Sequence, residues 1–313
     1  MNDKSKEEIK KVLHESEIVE TKFYTLVDMK VTMLDWPNNP YKTMVNMALQ
    51  TWGNEGNKWS LISPETRFEV MKAILQKKAL PLALEHPVFS FQIDRIDRST
   101  FDQLARARIG VVFSSKGSKD DSLEQLGFVI PSRILGTEYE EKFKSLMIQS
   151  KELYREMVLS DIPNWAARSV IGIYAEHNFI MSANFMAIQN LLSKRLETSE
   201  QEGCVAFSIL VREAIKKRFP LLSEYLRPSC DLAKKDMTGP YNGFSDIIGV
   251  PHQSDDRQPG YDQTKTPQKW SEPCTDIKLV ERMIGVHLPD PLEWKDYEWS
   301  NLGIIDMMKF MED

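Results

Sequence analysis

His86, Gln103, Arg106 and Arg108, followed by the polar run Ser114-Ser115-Lys116-Gly117-Ser118-Lys119, gather more chemistry than any other part of this 313-residue sequence. A guanidinium presents its donors as a planar fork that matches phosphate and carboxylate oxygens, and hydroxyls beside a cation and a glycine make an anion cradle. Ser114, Lys116 and Ser118 supply the cradle's polar side chains on this reading. Two arginines two residues apart cannot share one helical face, which places Arg106-Ala107-Arg108 at a helix end, where the pair reaches two different anionic groups. Taken alone, the residue types fit a solvated surface better, because the macrodipole favours arginine near a helix C-terminus with no ligand present.

A strand and a helix must hold these side chains. Val88-Phe89-Ser90-Phe91-Gln92-Ile93 alternates with strand period and sets His86 at the strand's leading edge. Ser99 is the expected cap of the next helix, with Phe101, Leu104 and Ala105 inward and Gln103, Arg106 and Arg108 along another side. Upstream, Thr25 to Leu34 reads as one strand rich in branched side chains, and Trp36-Pro37 ends it in a turn. Tyr41 to Leu49 reads as a helix. Ser63-Pro64 starts another, with Phe68, Val70, Met71, Ile74 and Leu75 at helical intervals. Downstream, Gly127 to Pro131 is extended. Residues 138–158 form a long amphipathic helix with Phe143, Leu146, Met147, Leu153, Tyr154 and Met157 on the buried side. Asp161 and Pro163 are expected to start a helix that delivers Arg168 behind the small residues Ala166 and Ala167. A further helix runs from Glu200 to Lys217, and Pro220 stops it. Residues 1–20 read as a polar arm, 21–226 as the folded domain, and 227–313 as a Pro/Gly-rich extension that regains helical pattern near its end.

With 42% hydrophobic and 10% aromatic residues, the chain can bury one large core or two smaller ones. A net charge of −6 argues against broad nucleic-acid binding, which needs a concentrated basic excess. Cys204, Cys230 and Cys274 are far apart and odd in number, as expected in a reducing cytoplasm. The five histidines have no C-x-x-C or H-E-x-x-H partner, so no metal site is expected. The charged start lacks the apolar core of a signal peptide, and no run approaches membrane-spanning length.

The order of a Glu-His pair, an alternating strand, Q-x-x-R-x-R and a polar loop resembles the flavin-dependent thymidylate synthase family, whose signature runs R-H-R-x-x-S-x-N-E-x-S-x-R-Y. Read without gaps from Arg106, both arginines of R-H-R keep their places. Ala107 stands for the histidine, Val111 and Phe113 for the first serine and the asparagine, Ser114 for the glutamate, Lys116 for the second serine and Ser118 for the last arginine. Further along, Ala167-Arg168 matches the family's A-R pair. Asn184 and Arg195 match the first and last residues of N-x-R-S-L-x-x-F-L-x-L-R, with Met186 in place of the inner arginine, and Gln201 matches the glutamine that introduces the final helix.

The resemblance implies an α+β fold, a mixed β-sheet flanked by long helices, assembled as a homotetramer with sites shared between subunits. It implies FAD as cofactor, methylenetetrahydrofolate and NADPH as co-substrates, and one-carbon transfer to C5 of a pyrimidine nucleoside monophosphate, dUMP by default. On the same basis Arg195 is the catalytic group, a cation facing the ring carbonyls as charge builds up on them. His86, Arg106, Arg108 and Asn184 hold the flavin. Gln103, Arg168, Arg195 and the altered loop positions Ser114, Lys116 and Ser118 hold the nucleotide. The changed loop leaves three readings open. They are methylation of dUMP, the same chemistry on dCMP or UMP or ending at a hydroxymethyl product, and a non-catalytic binding or assembly protein.

Overall fold

The computed structural model describes residues 20–51, 59–75, 80–115, 123–196, 200–227 and 277–286. Side-chain hydrogen bonds break the first apolar run in two. The backbone amide and hydroxyl of Thr25 both donate to Asp28 Oδ2, at 2.8 and 3.2 Å. They fold Leu26–Asp28 into a 3-10 turn between β1 (Phe23–Tyr24) and β2 (Lys30–Asp35). The single strand expected from Thr25 to Leu34 is therefore interrupted, because a local side-chain bond outcompetes the ladder there.

Helix α1 (Pro40–Thr51) buries Tyr41, Met44, Val45 and Ala48. Helix α2 (Pro64–Leu75) starts where Ser63 and Pro64 predict, with the Thr66 amide donating to Ser63 Oγ at 3.3 Å. Strand β3 (Val88–Asp97) buries Phe89, Phe91 and Ile93 completely, as their alternation requires. Helix α3 (Arg98–Leu104) follows it directly. Its cap is Asp97 rather than Ser99: Asp97 Oδ1 accepts from the Thr100 amide at 2.8 Å and Oδ2 from its hydroxyl at 2.6 Å. Because β3 runs on to Asp97, that residue is the last extended one and takes the capping place.

Strand β4 (Val111–Ser115) contains Ser114, which was expected in a loop. Lys116 and Ser118 lie outside the described residues, as do the arm to Val19 and most of the extension. After β5 (Phe128–Val129) come α4 (Tyr139–Leu159), the short α5 (Asn164–Ala167), β6 (Glu176–Asn184), α6 (Phe185–Arg195), α7 (Glu202–Lys216), α8 (Pro220–Glu224) and α9 (Ile277–Ile284). Pro163, not Asp161, precedes α5, and Asp161 has a left-handed φ of 67° that takes it out of a capping conformation.

The fold is α+β. Four strands pair in the order β2-β3-β6-β4, and β1 pairs in parallel with β5 in a separate two-stranded sheet. Strands β3 and β6 are antiparallel, since Phe185 N meets Pro87 O, Ser90 Oγ meets Ser182 Oγ, and Arg95 N meets Asn178 Oδ1.

The chain divides into two compact units, one of residues 1–30, 93–103 and 114–179, the other of 31–92, 104–113 and 180–313. In the first, Phe128, Met147 and Ala175 form one apolar cluster and Leu123, Tyr154 and Ala167 another. Helix α4 buries Met147, Lys151 and Tyr154, whereas Leu146 and Leu153, expected inside, are 58% and 45% exposed. Lys151 lies on the buried face instead, its ammonium donating to Leu126 O at 3.2 Å. In the second unit, Phe219 meets Tyr41 and Phe89 edge to face, with centroids 6.1 and 5.9 Å apart. Helix α7 buries an unbroken run from Gly203 to Ile209.

The first unit also holds a histidine kept neutral. His177 packs its ring 4.3 Å from that of Phe101, and its Nε2 is buried with no hydrogen-bond partner. Burial pushes the imidazole down from its ordinary 6.5 to about 4; nearby Arg98 acts in the same direction and Asp102 against it. Between those values the unfolded chain binds a proton that the folded chain refuses, so stability falls as pH drops through that window. A His177→Phe variant is expected to lose less melting temperature than the parent between about pH 7 and about pH 5. Parallel melting curves would assign the acid sensitivity to other groups.

Candidate active site

In the second unit, backbone contacts draw two separate pieces of sequence to the N-terminus of α6. Phe185 N donates to Pro87 O at 2.9 Å, which brings in the segment bearing His86. Asn184 N donates to Gly110 O at 3.1 Å, which brings in the turn that follows Arg106 and Arg108. Asn184 itself caps α6, its Oδ1 accepting from the Ala187 amide at 2.8 Å, so the amide end Nδ2 is left to point elsewhere.

Gly110 makes this approach possible. Its φ of +71° is left-handed, and a Cβ there would lie 2.7 Å from Asn184 Nδ2 and 3.0 Å from both Asn184 Oδ1 and Ala187 Cβ. Only glycine meets both demands. Helix α3 ends at Leu104, so Arg106 and Arg108 stand on the chain leaving it, as their spacing predicts. Both are exposed, and among the described residues neither guanidinium is ion-paired. His86, also exposed, closes the 3-10 turn Pro81–Glu85. Four side chains, cationic, imidazole and amide, are thus anchored to one strand end and one helix start.

Arg195 belongs to the same unit but not to this cluster. It is the last residue of α6, eleven positions from Asn184, which is about 16 Å along a helix axis. Its Nη1 donates to Glu200 Oε2 at 2.5 Å, and the two side chains are only 14% and 20% exposed. Gln103, Ser114 and Arg168 fall in the other unit. Gln103 is half-buried on α3, Ser114 is exposed on β4, and Arg168 is exposed where α5 passes into a 3-10 turn. Among the described residues no group of His, Cys, Asp and Glu is placed to hold a metal ion, and no helix is long and apolar enough to cross a membrane.

The family model described as thymidylate synthase complementing protein matches residues 32–221. The chain belongs to that family. Among its relatives are the flavin-dependent thymidylate synthases of Pyrococcus abyssi, 26% identical over 66% of this chain and 84% of the relative, and of Geobacter sulfurreducens, 28% identical over 50% and 66%. A UMP/dUMP methylase, PolB from Streptomyces cacaoi, solved with 5-Br dUMP bound, shares the fold with a TM-score of 0.55 and 16% identity, over 65% of this chain and 96% of its own. The family match begins in β2 and ends in α8, so it takes in the Asn184 cluster and Arg195 and stops before α9.

Two residues that support candidate side chains were not legible in the sequence. Gly110 follows Arg108 closely enough to signal a turn, but its packing partner comes from far along the chain. Glu200 sits beyond a helix end, where no periodicity pairs it with Arg195.

Proposed function

We propose that this family member catalyses flavin- and folate-dependent one-carbon transfer to C5 of a pyrimidine nucleoside monophosphate, with dUMP the default acceptor. The observation that supports the reading is that the backbone segments bearing His86 and the pair Arg106 and Arg108 are hydrogen-bonded to the junction of Asn184 and Phe185, inside the span that matches the family. The donors present suit FAD: two exposed guanidiniums for a diphosphate, with an amide and an imidazole beside them. When bound, the flavin supplies the hydride that reduces the transferred carbon, and NADPH is the source of that hydride. Methylenetetrahydrofolate supplies the carbon.

The chain's own groups do the rest. Arg195 faces the pyrimidine carbonyls and stabilises the enolate-like negative charge on them that makes C5 nucleophilic toward the transferred carbon. Arg168 grips the phosphate with its fork, and the Gln103 amide hydrogen-bonds the nucleotide. Lys116 serves as a point charge where the family's loop carries a serine, with Ser114 and Ser118 beside it as hydroxyl donors. No thiolate nucleophile enters this scheme, and Cys204 is fully buried within α7. We further propose a homotetramer whose subunits complete one another's sites, in a cytoplasmic setting.

The altered loop favours one competing reading, the same chemistry on another acceptor. Ser114 stands where a carboxylate is expected, and the structural relative is a methylase of UMP as well as dUMP. Purified protein should be yellow with a flavin spectrum. Incubation with dUMP, UMP and dCMP, labelled methylenetetrahydrofolate and NADPH should add one methyl to the preferred nucleotide by mass. A hydroxymethyl gain would identify chemistry that ends before reduction, and a colourless protein inert on every nucleotide would overturn the proposal.

The flavin assignment has its own test. An Arg106→Ala, Arg108→Ala double variant should weaken flavin binding by roughly 10- to 100-fold, since charge-assisted bonds to phosphate are lost. Its melting temperature without flavin should barely move, because exposed substitutions cost little. Undiminished flavin absorbance would remove these residues from the cofactor site.

A further inference from the structure

We infer that Glu200 is a positioning residue for the reaction, holding the Arg195 guanidinium in the plane from which it meets the pyrimidine; this rests on the role proposed for Arg195. The pair joins two rigid ends. Arg195 closes α6, and Leu196 beyond it is buried and still donates its amide to Leu192 O at 2.9 Å. Glu200 immediately precedes Gln201, whose carbonyl accepts the Cys204 and Val205 amides at 2.9 and 3.1 Å and so opens α7. Cys204 and Val205 are themselves fully buried. The carboxylate is therefore fixed to the start of a core helix and meets Nη1 at 2.5 Å in a largely solvent-excluded place.

A free arginine samples many rotamers, and its planar fork acts only when its plane is correctly turned. A carboxylate bonded to one Nη settles the rotation of that plane. The cation is then oriented before the substrate arrives, which is the condition under which a donor stabilises developing charge without reorganising. A five-residue step over a helix break brings this about, and the signature residues matched in this chain do not include Glu200.

The full chain with flavin bound supplies the test. Glu200→Ala should lower kcat roughly 10- to 100-fold with KM for the nucleotide changed less than about threefold, because orientation matters most in the transition state. Glu200→Gln keeps an acceptor and should restore most of kcat. In an Arg195→Ala background, Glu200→Ala should cost nothing further, whereas a residue that merely supports the fold would cost the same in both backgrounds. A readout free of turnover is the rate at which phenylglyoxal modifies Arg195, followed by peptide mass spectrometry. It should rise severalfold in Glu200→Ala and little in Glu200→Gln. An unchanged modification rate, or equal kcat losses in the two backgrounds, would overturn the inference. A parent protein inert on every nucleotide would instead sink the proposed activity, and the modification rate would still decide whether Glu200 holds Arg195.

Discussion

Arg195→Ala is expected to reduce turnover of the preferred nucleotide by about 10²–10³-fold, the loss typical of removing one donor from a site that stabilises developing negative charge. The effect should fall on kcat more than on KM, because a guanidinium facing the ring carbonyls gains most as charge accumulates there. Arg195→Lys should recover only part of the loss, since an ammonium keeps the charge without the planar fork. Steady-state kinetics on the three proteins decide the matter. Removing Arg195 also strands Glu200 without the cation it meets at 2.5 Å, so folded yield and melting must be measured alongside. Unchanged turnover in a folded variant would move the polarising role to another residue.

The second large effect is expected at a position with no chemistry of its own. Gly110→Ala places a methyl 2.7 Å from Asn184 Nδ2 on a backbone held at φ +71°. The left-handed conformation alone costs an L-residue about 1–2 kcal/mol. Pushing Asn184 aside also loosens the cap of α6, another ~1 kcal/mol. A destabilisation of roughly 2–3 kcal/mol follows, or several degrees of melting temperature, together with loss of flavin because Asn184 leaves its place. Gly136 is the control. Its φ is +72°, but nothing lies within 4 Å of a Cβ there, so Gly136→Ala should show the backbone cost without any change in flavin binding. Equal behaviour of the two variants would separate Gly110 from the site.

What could be read from residue types was whatever depends on neighbours in sequence. The alternation of Val88 to Ile93, the Ser63-Pro64 helix start and the exit of Arg106 and Arg108 from a helix end are local properties, and each is found where it was expected. Where two local rules competed, the reading failed. Thr25 and Asp28 traded ladder bonds for a turn, and a strand longer than its apolar core handed the capping role to Asp97 instead of Ser99. In α4 Leu146 and Leu153 lie outside, while a lysine whose stem is apolar lies inside. The site divides the same way. The cationic and amide side chains carried a resemblance, but their supports, Gly110 beneath Asn184 and Glu200 beside Arg195, follow from tertiary approach that no spacing encodes.

Helix α9 lies beyond the residues shared with the family, yet it packs on α7 and buries Val280 and Glu281 there. The helix it braces is the one that anchors the carboxylate beside Arg195. Residues outside the span matched by the family model thus cover one side of α7. A chain ended at residue 227 would expose to water the face of α7 that α9 covers, on the helix that begins just after Glu200.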